Sequence, residues 1–259
     1  MPAFLVIDVG NTQTVFGLYE DGELAAHWRL SSSRYATPDE LAWQLYGLFE
    51  QEGRNPKAID GIMAASVVPR LDRTLTQACE RICELTPAFV GGAEVKTGMA
   101  LDYKNPREVG ADRIVNAVAA REFFGSPVVV IDCGTATTFD IVSPEGRYAG
   151  GLILPGMEIG LTALHERAAK LPEVSFARAD MMIGRDTATS MQVGSYWAAV
   201  ESISGLIRRI RAMPGYEDVT IVATGGMVRV VAPDIRELDH VLPYLTLEGL
   251  RLLAERHFT

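Results

Sequence analysis

Two stretches of the chain share an unusual order of residues: an apolar run, an aspartate, and a turn with glycine and small hydroxyl side chains. The first, VIDVGNTQTVFGLYEDGE, begins at Val6, and the second, VIDCGTATTFDIVSPEGR, begins at Val130. Glycine lets the backbone approach a ligand closely, and successive N–H groups in such a turn bind anions. The repeat therefore predicts two halves of similar structure, whose turns face one cleft that binds a polyphosphate. An ungapped alignment matches Asp8 with Asp132, Gly10 with Gly134, Thr14 with Thr138, and Gly22 with Gly146.

The side chains of these turns suit phosphate and a cation in different ways. Asn11, Thr12 and Thr14 offer neutral donors, which avoid the repulsion between carboxylates and phosphate oxygens. Asp8 and Asp132 are therefore expected to hold a cation that neutralises the phosphates. Two ordinary β-turns without a ligand are the alternative, but the paired copies favour phosphate binding.

A third glycine turn, Thr224-Gly225-Gly226, also follows an apolar run. Two adjacent glycines leave a flat surface on which a base or a ribose can lie. A pair of glycines is more often a simple turn, so the local pattern leaves both interpretations open.

The segment Gly110-Ala111-Asp112-Arg113 opens a stretch with helical periodicity. Asp112 then lies in the first helical turn, where the helix dipole keeps a carboxylate ionised. Such a carboxylate can accept the proton of an attacking hydroxyl. In phosphoryl transfer the base mainly has to orient the nucleophile, because the transition state is loose. Arg113 can bind a carboxylate through two parallel hydrogen bonds from its planar guanidinium group. The alternative is that Asp112 only complements the dipole and that Arg113 is a surface charge.

The hydrophobic pattern predicts the elements that position these residues. Thr37-Pro38-Asp39-Glu40 has the order of a capping box with proline at the first helical position. Asp21-Gly22 predicts a tight hairpin. Strands mixed with helices indicate an α/β fold in two related lobes, residues 1–118 and 119–259. We predict strands at 4–7, 14–19, 23–29, 62–68, 88–90, 128–131, 137–142, 147–154 and 219–223, and helices at 38–52, 70–84, 110–124, 155–169, 190–213 and 247–257.

Composition excludes several classes of protein. A net charge of −9 and a pI near 5.0 argue against a nucleic-acid-binding surface. Three cysteines are too few for a disulfide framework. No apolar run is long enough to span a membrane, and the N-terminus has no basic segment typical of an export signal. A cytoplasmic protein without nucleic-acid or membrane partners is expected.

These motifs resemble those of type III pantothenate kinases, which have the actin, hexokinase and Hsp70 ATPase fold. The resemblance spans nearly the whole chain, and the combination is more specific than any one motif. It is carried by DVGNT (8–12), ASVVP (65–69), GADR (110–113), DCGTATT (132–138), LPG (154–156), RAAKLPEV (167–174), IGRDT with MQVG (183–194), and TGG (224–226).

The resemblance implies two duplicated actin-like (ribonuclease H-like) lobes with an ATP cleft between them, and phosphorylation of the 4′-hydroxyl of pantothenate in coenzyme A synthesis. Asp112 would be the general base, and Asp132 would hold a monovalent cation, K⁺ or NH₄⁺, in addition to the Mg²⁺ bound with ATP. The implied ATP ligands are Asp8, Val9, Gly10, Asn11, Thr12, Gln13, Thr14, Val15, Thr135, Gly225 and Gly226. The implied pantothenate ligands are Tyr103, Gly110, Ala111, Asp112, Arg113 and Thr187.

The resemblance also implies a homodimer with the acceptor site at the subunit interface. Helix 190–213, with Tyr196 and Trp197, is either a candidate for that interface or a core helix of the chain. One departure from the family pattern is Asp186, where asparagine is expected before Thr187. Two rival functions are a nucleotide-binding regulator without turnover and another phosphotransferase or hydrolase of the same fold.

Overall fold

The computed structural model describes residues 2–259, and its contacts divide the chain into two compact units. The first unit comprises the chain up to Met99, Asn105–Ala119 and Thr246–Thr259. The second unit comprises Ala100–Lys104 and Ala120–Leu245. None of the helices in this described part of the chain combines the length and apolar character that crossing a bilayer requires.

The first unit contains a five-stranded sheet in the order β3-β2-β1-β4-β5. The central strand β1 is apolar on both faces and fully buried from Phe4 to Ile7, because β2 pairs with it antiparallel and β4 pairs with it parallel. The strands are β1 (Ala3–Val9), β2 (Gln13–Glu20), β3 (Glu23–Ser31), β4 (Gly61–Ser66) and β5 (Ala88–Phe89).

Local sequence signals explain the connections of this unit. Asp21 and Gly22 both have positive φ, 56° and 84°, as a two-residue hairpin turn between β2 and β3 requires. The predicted capping box is present: the Thr37 hydroxyl accepts from the Glu40 N–H, and the Glu40 carboxylate accepts from the Thr37 N–H. The helices of the first half are α1 (Pro38–Gln51), α2 (Pro69–Cys83) and α3 (Ala111–Phe124), with single 3₁₀ turns at Pro56–Ala58 and Pro106–Glu108.

The second unit repeats this topology. Its sheet has the order β10-β9-β6-β7-β8, so its central strand β6 also pairs antiparallel with the next strand and parallel with the strand that follows the helices. The strands are β6 (Val128–Cys133), β7 (Ala136–Val142), β8 (Tyr148–Pro155), β9 (Thr220–Thr224) and β10 (His240–Val241). The helices of the second half of the chain are α4 (Met157–Arg167), α5 (Thr187–Arg211), α6 (Val228–Val231) and α7 (Leu245–Phe258), with a 3₁₀ turn at Ala232–Asp234.

The last helix, α7, returns to the first unit. The Tyr19 hydroxyl on β2 donates to the Glu248 carboxylate at 2.8 Å, and the ring of Phe258 stacks on that of Phe4. Gly249 allows α7 to approach α3 closely, since a Cβ there would lie 2.5 Å from the Val115 carbonyl oxygen. By these contacts residues 246–259 belong with the first unit, whereas the sequence pattern assigns them to the second lobe.

Candidate functional site

The first glycine turn is long and exposed. Val9 on β1 pairs with Thr14 on β2, which leaves Gly10, Asn11, Thr12 and Gln13 between these two paired residues. The Gly10 N–H donates to the Gln13 carbonyl at 3.1 Å, and the side chains from Asn11 to Gln13 are exposed. The turn therefore presents three hydroxyl or amide side chains, those of Asn11, Thr12 and Gln13, directly to solvent.

Hydrogen bonds from neighbouring segments hold this turn. The Ser32 N–H donates to the Thr12 carbonyl at 3.0 Å, and the Val67 N–H donates to the Val9 carbonyl at 3.1 Å. Thr14 is buried, and its hydroxyl lies 2.9 Å from that of Ser32. Thr14 thus ties the returning strand to the end of β3, while Asp8 is half-buried opposite Val15.

The second glycine turn is one residue shorter than the first. Cys133 on β6 pairs with Thr137 on β7, which leaves only Gly134, Thr135 and Ala136 between these two paired residues. The Gly134 N–H donates to the Ala136 carbonyl at 3.1 Å, and Thr135 is exposed at the tip.

This difference corrects the ungapped alignment of the repeat. The structural counterpart of Thr14 is Thr137, which is also buried, whereas Thr138 lies opposite Asp132 as Val15 lies opposite Asp8. The match of Thr14 with Thr138 is wrong, because two consecutive threonines hide the deletion of one turn residue. A β-bulge confirms the corrected alignment, since it follows Leu18 in β2 and Ile141 in β7, each four residues after the corresponding threonine.

Two glycines from other elements pack against the second turn. Gly225, at the end of β9, has φ +96°, and a Cβ there would lie 2.3 Å from Asp132 Oδ1 and 2.6 Å from the Cys133 backbone. A Cβ on Gly156, at the start of α4, would lie 2.0 Å from the Thr135 carbonyl oxygen. The structure therefore brings Gly225 and Asp132 together and adds Gly156, which the sequence indicates only through the LPG motif. Gly226 is exposed, with no atom within 4 Å of the position of its Cβ.

The proposed base lies in the first unit together with the first turn. Asp112 is half-buried in the first turn of α3, and its Oδ1 accepts from the Arg113 N–H at 2.8 Å. Burial raises the pKa of the Asp112 carboxyl, although that N–H opposes the shift. A Cβ on Gly110 would lie 2.4 Å from Asp112 Oδ1 and 3.5 Å from Val67 Cγ1. Val67, whose N–H bonds Val9, thus connects the first turn with the segment that carries the base.

The other predicted acceptor residues lie on several elements. In the first unit Ala111 is buried and Arg113 is half-buried on α3. In the second unit Tyr103 is 37% exposed and packs on Tyr148, and Thr187 is the exposed first residue of α5.

Asp186 has a structural role that explains the departure from the family pattern. It is the N-cap of α5, and its carboxylate accepts from the Thr189 N–H at 2.8 Å. This hydrogen bond lowers the pKa of Asp186, so the carboxylate is ionised near neutral pH. Asparagine and aspartate cap helices about equally well. The substitution therefore conserves the start of the helix that carries Thr187.

Helix α5 is a core helix of the second unit over most of its length. Tyr196 is fully buried, and its hydroxyl donates to the Asp234 carboxylate. Trp197 packs against the same core and donates its ring N–H to the Met181 carbonyl at 3.0 Å. Of the two alternatives for this helix, the packing of Tyr196 matches the core helix, because its side chain is occupied within its own chain.

The architecture matches solved proteins of the actin-like ATPase and kinase fold. A ROK family glucokinase from Streptomyces griseus, solved with glucose and AMPPNP, shares 13% identity, with 98% of this chain and 99% of that chain covered and a TM-score of 0.54. Component A of the (R)-2-hydroxyglutaryl-CoA dehydratase from Acidaminococcus fermentans shares 15% identity over 100% of this chain and 98% of that chain, with a TM-score of 0.55. At this identity the likeness establishes the two-lobed α/β fold.

Sequence comparison then gives the family. The profile described as type III pantothenate kinase matches residues 4–209. Type III pantothenate kinases of Myxococcus xanthus and Moorella thermoacetica are 46% and 45% identical to this chain, with 98% of the chain covered in each case and 98% and 99% of the relatives. The chain belongs to the type III pantothenate kinase family, whose members are kinases that phosphorylate pantothenate in the first step of coenzyme A synthesis.

A kinase of this fold uses ATP with a divalent metal. Within residues 2–259 no group of three or more His, Cys, Asp or Glu side chains could hold a metal by itself. Mg²⁺ keeps several waters and is typically held by one or two carboxylates together with substrate phosphates. Each glycine turn carries one carboxylate, that of Asp8 in the first and that of Asp132 in the second.

Proposed function

We propose that this chain transfers the terminal phosphoryl group of ATP to the 4′-hydroxyl of pantothenate, with Asp112 as the general base. The observation that carries this proposal is the position of the Asp112 carboxylate. It is half-buried and accepts from the Arg113 N–H, and its segment lies beside Val67, whose N–H donates to the Val9 carbonyl at the start of the first glycine turn.

In this mechanism the hydroxyl oxygen of pantothenate attacks the γ-phosphorus, ADP leaves, and the Asp112 carboxylate accepts the hydroxyl proton. The transition state is loose, so the base mainly orients the nucleophile. The raised pKa of Asp112 makes its carboxylate a stronger proton acceptor than an exposed aspartate. Arg113 is assigned to the carboxylate of pantothenate, since a guanidinium group binds carboxylates with two parallel hydrogen bonds.

The two turns are assigned to ATP. The exposed first turn, with neutral donors and a backbone held by Ser32 and Val67, supports phosphate binding. The open backbone at Gly226 supports contact with the adenosine. The proposed ATP ligands remain Asp8 to Val15, Thr135, Gly225 and Gly226, and the proposed pantothenate ligands remain Tyr103, Gly110 to Arg113 and Thr187.

A monovalent cation, K⁺ or NH₄⁺, is assigned to Asp132. The support is the Asp132 carboxylate, which lies at the second turn against the backbone of Gly225 and offers oxygen atoms to a cation. The cation would supply positive charge near the phosphates, and Mg²⁺ bound with ATP would neutralise the β- and γ-phosphate oxygens.

A homodimer in the cytoplasm completes the proposal. Several large apolar side chains of the second unit are exposed, as expected for a surface that a second copy covers. Unpaired, buried cysteines at positions 79, 83 and 133 suit a reducing compartment. The exposed apolar residues are Ile153 on β8, Ile159 and Leu164 on α4, and Met182 and Ile183 before α5.

The deciding experiment is an ADP-release assay with ATP and pantothenate, in buffers that contain potassium, ammonium or only sodium. We expect ADP release that depends on pantothenate and is much faster with potassium or ammonium. Release without pantothenate would indicate a hydrolase, and no release in any buffer would indicate a nucleotide-binding regulator. Light scattering of the same sample should give twice the chain mass of 28.2 kDa.

A further inference from the structure

A short segment that precedes α3 in sequence is anchored on the second unit. The Tyr148 N–H donates to the Ala100 carbonyl at 2.9 Å, and the Asp102 N–H donates to the Tyr148 carbonyl at 2.8 Å. These bonds form a parallel bridge between Leu101 and Tyr148 at the start of β8. The backbone that carries Tyr103 is therefore fixed by one residue of β8.

The side chain of Tyr148 is fixed as well. It is fully buried, and its hydroxyl donates at 2.9 Å to the carboxylate of Asp140, which is also fully buried. Asp140 accepts in addition from the Thr138 hydroxyl at 3.4 Å. Buried hydrogen bonds of this kind hold a ring in one orientation, since breaking them leaves an unpaired polar group.

The ring of Tyr103 packs against this fixed surface. Its centroid lies 6.2 Å from that of Tyr148, with 58° between the ring planes, a favourable tilted arrangement. A Cβ on Gly150 would lie 3.5 Å from the Tyr103 ring. That distance is an ordinary van der Waals contact, but Gly150 has φ +110° beside the β-bulge of β8, so glycine provides the backbone conformation that places β8 against the ring.

From these contacts we infer that Tyr148 and Gly150 are positioning residues for the acceptor, because they hold the Tyr103 ring in the orientation that binds pantothenate. The inference rests on the proposed function, which assigns Tyr103 to the acceptor. It adds two residues of β8 that act through Tyr103 and not through the nucleotide. Asp140 contributes to the same positioning, since it accepts the hydrogen bond of the Tyr148 hydroxyl.

A double-mutant cycle tests the inference. Tyr148→Phe keeps the ring but removes the hydroxyl that anchors it, and we expect the KM for pantothenate to rise about 2- to 10-fold, the worth of one hydrogen bond. The KM for ATP should not change. In a Tyr103→Ala background the same substitution should have no further effect on the pantothenate KM, because the Tyr103 ring through which Tyr148 acts is absent.

Tyr196→Phe is the matched control. Tyr196 is also fully buried in the second unit, and its hydroxyl also donates to a carboxylate, that of Asp234, but it has no contact with Tyr103 among those described. It should lower the melting temperature in the same way without changing either KM. Gly150→Ala is a second variant, expected to raise the pantothenate KM only when Tyr103 is present.

The outcomes separate the inference from the proposed function. Absence of pantothenate-dependent ADP release in the wild-type protein would overturn the proposed function and, with it, the inference. Normal release, with a pantothenate KM that Tyr148→Phe and Gly150→Ala leave unchanged or raise equally with and without Tyr103, would overturn the inference alone.

Discussion

The two glycine turns have the same place in duplicated sheets but are supported in different ways. The first has four residues between the paired residues Val9 and Thr14 and is held by backbone hydrogen bonds from Ser32 and Val67. The second has three residues and is packed from other elements by Gly156 and Gly225. One hydrogen bond is common to both, since the Met227 N–H donates to the Cys133 carbonyl at 3.0 Å as Val67 does to Val9.

A duplicated hairpin can diverge in function through such a difference in its support. A longer, exposed turn held by hydrogen bonds can adjust to a ligand. A shorter turn packed against glycine backbone has little freedom, because any added atom collides with a carbonyl group or a carboxylate. We therefore expect the first turn to tolerate small changes of shape and the second turn to tolerate very few.

The largest expected effect concerns the base, which lies only in the first unit. Asp112→Asn should lower kcat about 10²-fold or more, since the general base is lost. Because burial raises the pKa of Asp112, the ionised form is disfavoured in the folded state, and stability falls as pH rises from the unfolded pKa to the folded pKa. Asparagine should thus keep or raise the melting temperature at pH 7. Turnover near that of the wild type would refute the assignment.

The next effect separates the two turns directly. Gly156→Ala places a Cβ 2.0 Å from the Thr135 carbonyl oxygen, so the backbone must move, at a cost of about 1–3 kcal/mol in stability and with a higher KM for ATP. Gly10→Ala meets the Gln13 carbonyl at 3.0 Å and should cost less than about 1 kcal/mol. Chemical denaturation of both variants measures the difference.

Gly160→Ala is the control for that pair. It lies in the same helix as Gly156, with nothing within 4 Å of the position of its Cβ. Alanine there should stabilise the protein by about 0.5–1 kcal/mol through helix propensity. Equal losses at positions 10 and 156 would show that the two turns are equally rigid, contrary to the comparison.

A smaller effect concerns the two aspartates. If Asp132 holds the monovalent cation, Asp132→Asn should reduce the ratio of activity in potassium to activity in sodium toward one. Asp8→Asn should lower activity but keep that ratio, because the first turn has no glycine packed against its carboxylate that compares with Gly225. The measurement is ADP release at matched ionic strength. A ratio that falls equally in both variants would remove the specific role of Asp132.

Local signals predicted most of the fold. The capping box at Thr37, the turn at Asp21-Gly22 and the apolar runs of β1 and β6 each act over a few residues, so their effects can be read from sequence. The elements β10 and α6 were not predicted, because β10 is exposed and begins with a histidine and α6 is only one helical turn, whereas the equally short β5 lies in an apolar run.

Features that depend on distant contacts were not predictable. The return of α7 to the first unit depends on Gly249 against Val115 and on Glu248 against Tyr19. The packing of Gly156 on Thr135 joins residues on different elements, and no local pattern reveals it. The sequence did not reveal that the second turn is one residue shorter, because the two repeats were aligned by residue type and the strand register was unknown. The motifs themselves were recognisable, but which residues support them required the structure.

The smallest expected effect concerns the environment of the base. Activity as kcat/KM should fall as pH decreases through the raised pKa of Asp112, above the ordinary value of 3.8, because protonation removes the proton acceptor. Gly110→Ala should move this acidic limb to lower pH. A Cβ 2.4 Å from Asp112 Oδ1 forces the carboxylate out of its half-buried position, and burial is the main cause of the raised pKa.

The same displacement should lower kcat several-fold, since the carboxylate no longer lies where the hydroxyl is presented. Loss of the Arg113 N–H bond acts in the opposite direction on the pKa but is the weaker cause. Gly47→Ala, in the first unit with nothing within 4 Å of its Cβ position, is the control and should leave the profile unchanged. Ionisation of the substrate is the same for all variants. A shift of the acidic limb therefore reflects a change in the pKa of a group on the enzyme. A limb that stays in place or moves to higher pH in Gly110→Ala would mean that a group other than Asp112 controls it.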